Sequence, residues 1–154
     1  MCGGTDEGMW KSGKLETAHP STHGSMDELG HKDLSGLVID AAIEVHKALG
    51  PGYLESFYEE ALCIELAHRG IGFERQKPVP ITYRGIQIGE HRVDLLVEGV
   101  LLLELKAVAA LEDVFFAIGR SYLKALGLRD GLILNFAAMP LEIRRIGPGR
   151  PSDS

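Results

Sequence analysis

The chain has 154 residues, 45% of them in the hydrophobic class, which suits one domain with a sizeable core. Its formal net charge of -6 excludes a protein that coats nucleic acid through bulk electrostatics, because neutralising phosphates takes a basic surface; a locally basic cleft or a bound cation remains compatible with it. No apolar run approaches the roughly 20 residues of a transmembrane helix, and the first residues, MCGGTDEGMWKSGK, lack the apolar stretch of a secretory signal.

Cys2 lies in a polar segment and Cys63 in a predicted helix, a usage that fits the reducing cytoplasm better than a disulfide framework. The histidines and cysteines show no paired spacing of the kind that builds a structural zinc site. Residues 1–32 are rich in Gly, Ser, Thr, His and charge without hydrophobic period, and read as a disordered leader. The domain is expected over 33–147, with 148–154 as a tail.

Asp33 is read as an N-cap, and Leu37, Val38, Ala41, Ala42, Val45 and Leu49 follow at helical spacing in a helix from Leu34 to Leu49. Gly50-Pro51-Gly52 stops that helix. A second helix is predicted from Leu54 to His68, with Phe57, Ala61, Ile64 and Leu66 among its apolar positions and Gly70 at its end. Extended segments follow at Phe73 to Lys77, Val79 to Tyr83, Ile86 to Gly89, Arg92 to Val97 and Val100 to Val108. The Glu98-Gly99 pair reads as the short turn of an antiparallel hairpin joining the last two. Helical spacing returns from Leu111 to Leu126 through Val114, Phe115, Ile118, Tyr122 and Leu123, and Gly127 closes it. Short strands at Leu132 to Phe136 and Leu141 to Ile146 complete an α/β (α+β) pattern, a mixed sheet flanked by helices.

One strand carries an anomaly. Val100 to Val108 reads as buried on both faces, yet it contains Glu104 and Lys106. Alternation puts both on the face of Leu102, opposite Leu103 and Leu105. Even a paired charge in a core often fails to recover its desolvation cost, so these two residues point to a site, with a structural ion pair as the plainer alternative. Asp94, on the hairpin partner, comes near the level of Glu104. Two carboxylates beside an ammonium make a hard-oxygen site suited to Mg²⁺ or Mn²⁺, in which Lys106 could orient water or offset developing negative charge.

The spacing of Asp94 from Glu104-Leu105-Lys106 resembles the (D/E)xK half-motif of the PD-(D/E)XK nuclease superfamily. Gly52-Tyr-Leu-Glu55-Ser-Phe-Tyr58, with the preceding AAIEVHKALGP, resembles the motif of the bacterial GxxExxY family grouped with that superfamily. Matching stretches run from about Leu34 to Ile146 and include Glu74-Arg-Gln-Lys-Pro-Val, Arg92-Val-Asp94-Leu-Leu-Val and Gly131-Leu-Ile-Leu-Asn-Phe. The resemblance implies a restriction-endonuclease-like αβββαβ core with an extra N-terminal helix, and metal-dependent phosphodiester cleavage where the site is intact. It further implies Asp94, Glu104, Glu55 and the backbone carbonyl of Leu105 as metal ligands and Lys106 as the catalytic lysine. Many relatives carry Gln where Ile118 stands, so a polar contribution from this helix would come from Arg120, Ser121 or Tyr122.

Plainer readings stand beside these. Glu55 also suits the first turn of its helix through the dipole, and Asp94 a solvated strand position. His46 reads as an ordinary helix histidine. Tyr58 shares a helix face with Glu55, where its hydroxyl could brace the carboxylate or meet substrate. Arg75, Gln76 and Lys77 read as residues that keep a strand edge soluble. The functional expectation is a metal-dependent nuclease acting on DNA or RNA through a local cleft; the alternative is a non-catalytic nuclease-fold module that binds a protein partner or nucleic acid.

Overall fold

The computed structural model of the chain describes residues 31–147. The segments expected as leader and tail, and Cys2 with them, lie outside the described residues except for His31 and Lys32. The elements are α1 (His31–Leu49), α2 (Glu55–His68), β1 (Phe73–Tyr83), β2 (Ile86–Val97), β3 (Leu101–Lys106), α3 (Asp113–Leu126), β4 (Asp130–Asn135) and β5 (Glu142–Ile146). From α2 onward this is the αβββαβ order, with α1 as the added N-terminal helix and β5 as a last strand. None of these helices is long and apolar enough to cross a membrane.

The strands form one mixed sheet in the order β1-β2-β3-β4-β5. Only β3 and β4 run parallel, with α3 as their crossover; the other neighbours are antiparallel. Helices α1 and α2 cover one face, packing Val38, Ala41, Val45, Tyr58, Leu62 and Leu66 against Leu95, Leu103, Leu105 and Leu134. Helix α3 covers the other, packing Tyr122 and Leu123 against Val79, Val93, Leu102 and Ile133. Burial on both faces explains the largely apolar runs of β3 and β4, Leu101–Leu103 and Leu132–Leu134.

Several boundaries differ from expectation. Helix α1 begins at His31, so Asp33 lies inside it and is not its N-cap. The predicted strands at Phe73–Lys77 and Val79–Tyr83 are one strand, β1, because Pro78 falls on an edge strand where a missing N–H is tolerated. Likewise Ile86–Gly89 and Arg92–Val97 merge into β2. Strand β3 stops at Lys106, and its exit is held by Asn135, which donates to the Val108 carbonyl at 2.9 Å and accepts the Val108 N–H at 3.1 Å.

Helix α2 buries Tyr58, Leu62, Cys63 and Leu66 and leaves Phe57 and Ile64 about half exposed. It is apolar on more than one side, so spacing alone misassigned its inner face. On α3, Val114 is likewise exposed, while Gly119 seats the helix on β5: a Cβ there would lie 2.6 Å from Ile146 Cδ1. Cys63 is buried as a small hydrophobe. His46 is buried beside Phe136, with ring centroids 6.1 Å apart.

Candidate active site at the β2–β3 fork

Glu98 and Gly99 both have positive φ, and the Val100 N–H donates to the Val97 carbonyl at 3.0 Å, closing the tight turn expected between β2 and β3. Pairing then runs from Val97↔Leu101 to Leu95↔Leu103 and stops. One step further lie Asp94 and Glu104. Here side chains replace the ladder: the Leu105 N–H donates to Asp94 Oδ2 at 2.8 Å, and the Asp94 N–H reaches Glu104 Oε2 at 3.4 Å. Each carboxylate thus sits against the other strand's backbone at the point where the strands part.

On β1 and β2, Phe73, Leu95 and Val97 belong to the core under α1 and α2, whereas Val79, Val93 and Ile81 belong to the core under α3. The odd-numbered positions therefore change faces between Leu95 and Val93. Gln76, level with Asp94, has φ 53, a left-handed conformation in a strand. This irregularity falls at the level of Asp94, where the β2–β3 ladder ends.

Glu104 is buried and Asp94 half-buried. Burial is the main cause that raises both carboxyls above the usual carboxylate range. For Glu104 the charge of Asp94 adds to burial and Lys106 opposes it. For Asp94 the bond from Leu105 opposes, and the charges of Glu59 and Glu55 add. Glu55, at the start of α2, reaches across to the residue just after β3: its Oε2 accepts the Ala107 N–H at 3.3 Å. The four sequence-derived residues Glu55, Asp94, Glu104 and Lys106 are thereby gathered at one end of β3. Lys106 extends over the Phe115 ring of α3, Nζ 4.5 Å from its centroid, and no ion pair joins it to Glu104 among the described residues.

A family model described as the PD-(D/E)XK nuclease superfamily matches residues 32–146. The chain belongs to this superfamily. No curated protein and no solved structure matches it. The mixed five-stranded sheet between helices agrees with the PD-(D/E)XK fold.

PD-(D/E)XK proteins typically use divalent metals, and the donors at this fork fit a hard cation, being carboxylate oxygens on two adjacent strands. Among the described residues no three His, Cys, Asp or Glu side chains form a ready-made cluster. Asp94 and Glu104 would therefore supply a partial shell, the arrangement that suits Mg²⁺, which keeps water and substrate oxygens.

Other expected residues divide. Tyr58 is fully buried and does not brace Glu55; its hydroxyl donates to the Gly50 carbonyl at 2.6 Å and accepts the Tyr53 N–H at 3.1 Å, while its ring stacks on Phe136. Arg120 and Ser121 are exposed, and Arg120 sits two positions from Tyr122, on a different side of α3. Only Tyr122 joins the site: burial, then the charges of Glu104 and Asp94, raise its phenol, and its hydroxyl lies 3.0 Å from His91 Nδ1. Ile118, one turn before Tyr122, is 37% exposed.

His91 and Asn135 went unnoticed in the sequence. His91 lies on a strand of mixed exposure with no distinguishing spacing. Asn135 was visible as a polar residue ending the apolar run Leu132-Ile-Leu-Asn135, a signal of the same kind as Glu104. Arg75 and Gln76 do not keep an edge soluble. The Arg75 guanidinium is buried and bonds Glu59 and Glu60 of α2 at 3.2 and 3.0 Å, and Gln76 Nε2 donates to Glu59 at 3.1 Å. Burial opposes the charge on Arg75, but Cys63, Glu60 and Glu59 together raise its pKa further.

Proposed function

We propose that this chain is a GxxExxY-type member of the superfamily that hydrolyses phosphodiester bonds in DNA or RNA with Mg²⁺ or Mn²⁺. The observation that carries this is the crossed pair at the fork, Leu105 N–H to Asp94 and Asp94 N–H to Glu104, which ties each carboxylate to the other strand's backbone where the ladder ends. Asp94 and Glu104 would hold the ion, with the Leu105 carbonyl and Glu55 as further oxygen donors. When bound, such an ion polarises a phosphoryl oxygen and acidifies a water.

The protein's own groups do the rest. Lys106, whose Nζ lies over the Phe115 ring at the same end of β3, would orient the attacking water or offset the phosphate charge. Tyr122, steadied by His91, would offer a hydroxyl from the helix where many relatives carry Gln. Glu55 ties the start of α2 to the exit of β3 and so fixes the width of the site.

A second reading, a non-catalytic module for a protein partner or nucleic acid, has one observation in its favour: Ile118 offers no polar group beside Tyr122. Titration with Mg²⁺ and Mn²⁺ and cleavage of single- and double-stranded DNA and RNA, for wild type and Glu104→Gln, separate the two. Metal-dependent cleavage lost in a folded Glu104→Gln variant supports the nuclease. Metal binding without cleavage favours the module, and no metal binding removes both metal roles.

A further inference from the structure

Asn135 ends β4 as a fully buried polar residue after Leu132, Ile133 and Leu134, a place where an unbonded amide would be costly. Every hydrogen-bonding position of the amide is taken. Its Nδ2 donates to the Val108 carbonyl at 2.9 Å and to Glu142 Oε1 at 3.3 Å, while Oδ1 accepts the N–H groups of Val108 at 3.1 Å and Ala137 at 3.2 Å. The β3–β4 ladder ends at Lys106↔Asn135, so this side chain carries the contact on to Val108 as a backbone amide would.

The chain leaving β3 is thereby held residue by residue. The Phe136 N–H donates to the Lys106 carbonyl at 2.8 Å, the Ala107 N–H goes to Glu55, and Val108 exchanges both of its bonds with Asn135. Residues 107–112 then lead into α3, whose first turn carries Phe115 under Lys106 and Phe116 under Arg144. Arg144 pairs with Glu142 at 3.6 Å, and Glu142 is also a partner of Asn135. A single polar chain, Val108–Asn135–Glu142–Arg144, thus joins the exit of β3 to the helical turn on which Lys106 rests.

We propose that Asn135 is a positioning residue: by clamping Val108 it fixes the segment between β3 and α3, and so sets where the Lys106 ammonium stands. The stem of Lys106 is long and flexible, and no ion pair holds it among the described residues. Its place therefore depends on the backbone it leaves and the ring it lies over. A misplacement of about 1 Å at a reacting group can cost about 100-fold in rate. The consequence for cleavage rests on the nuclease reading, whereas the placement of Lys106 does not.

NMR of the full chain with isotope-labelled lysine tests this, Lys106→Arg identifying the Lys106 signal. In wild type the ε-methylene protons of Lys106 should be shifted upfield by the Phe115 ring, and Phe115→Leu should abolish the shift. Asn135→Asp keeps the side-chain volume and the two accepted bonds, but it leaves the Val108 carbonyl without a donor and sets a carboxylate against Glu142. Its Lys106 signal should move to that of a solvated lysine. Mn²⁺ affinity should stay within about threefold of wild type, and kcat for cleavage should fall at least about tenfold with KM little changed. The double variant Asn135→Asp/Glu142→Gln removes the repulsion and lets the two side chains bond again. Its melting temperature should return to near the wild-type value while the Lys106 signal stays at the solvated position. If the signal recovers together with the melting temperature, or never moves, the amide serves the fold alone and the proposal is overturned. Absence of the upfield shift in wild type overturns it as well. A wild type that cleaves no nucleic acid removes the nuclease reading, and the Lys106 signal still decides the positioning role.

Discussion

The Tyr58 hydroxyl donates to the Gly50 carbonyl at 2.6 Å while accepting the Tyr53 N–H, so a tyrosine three residues beyond Glu55 fastens the loop just before it. The roles within Gly52-x-x-Glu55-x-x-Tyr58 become distinct: Gly52 takes φ 117, Glu55 faces the fork and Tyr58 staples the turn. Removal of the hydroxyl in Tyr58→Phe leaves a carbonyl and an amide without their partner. A loss of about 1–3 kcal/mol in urea unfolding is expected, together with weaker metal binding because Glu55 is less well placed.

Stability without metal should depend on pH in an unusual sense for carboxylates. Glu104 is raised to about 8 and Asp94 to about 6 in the fold, both above their ordinary values near 4. The folded state therefore binds more protons than the unfolded state between these limits, and stability that is complete below about pH 4 is lost as pH rises toward 8. Melting temperatures in a chelating buffer should reveal this contribution as a decline from pH 5 to pH 8.5. Mg²⁺ should offset the decline, raising the melting temperature more at pH 8.5 than at pH 5, because the ion must displace the protons.

Glu104→Gln separates stability from chemistry. Replacing a buried, repelled carboxylate by its neutral isostere should raise the melting temperature of the metal-free protein at pH 8 by a few degrees. The same variant should lose the metal-induced shift and at least about 100-fold of any cleavage rate. A variant that is both less stable without metal and still responsive to it would contradict the role assigned to this residue.

Arg75 links β1 to α2 through Glu59 and Glu60 with little solvent access. In Arg75→Leu two carboxylates lose their counter-charge, and a cost of about 3–5 kcal/mol is expected in chemical denaturation. By contrast, Arg144→Leu removes an exposed pair with Glu142 and a contact over Phe116, and should cost about 1 kcal/mol or less.

Much of the site was legible because it violates the local pattern. Two charges in a Val and Leu run stood out from the strand around them, and the Glu98-Gly99 turn put Asp94 near the level of Glu104 by counting alone. Gly70 and Gly127 marked helix ends for the same local reason, since both take positive φ. Residues whose partners are distant in sequence were misread. Arg75 looked like an edge cation because nothing nearby reveals Glu59 and Glu60, and Tyr58 looked like a companion of Glu55 because helical spacing cannot show a hydroxyl turned to Gly50. Helix α2, apolar on several sides, has no single stripe from which to choose its buried face.

By itself the sequence determined the order of helices and strands, the hairpin register and the charged positions within β3, because these follow from short-range periodicity and turn chemistry. Tertiary structure decided that β2 and β3 part at Asp94, that Glu55 crosses to Ala107 and that Tyr122 is buried against His91 while Arg120 is exposed. Those outcomes depend on where the sheet kinks and how helices seat on it, and only the packing of the folded chain sets these.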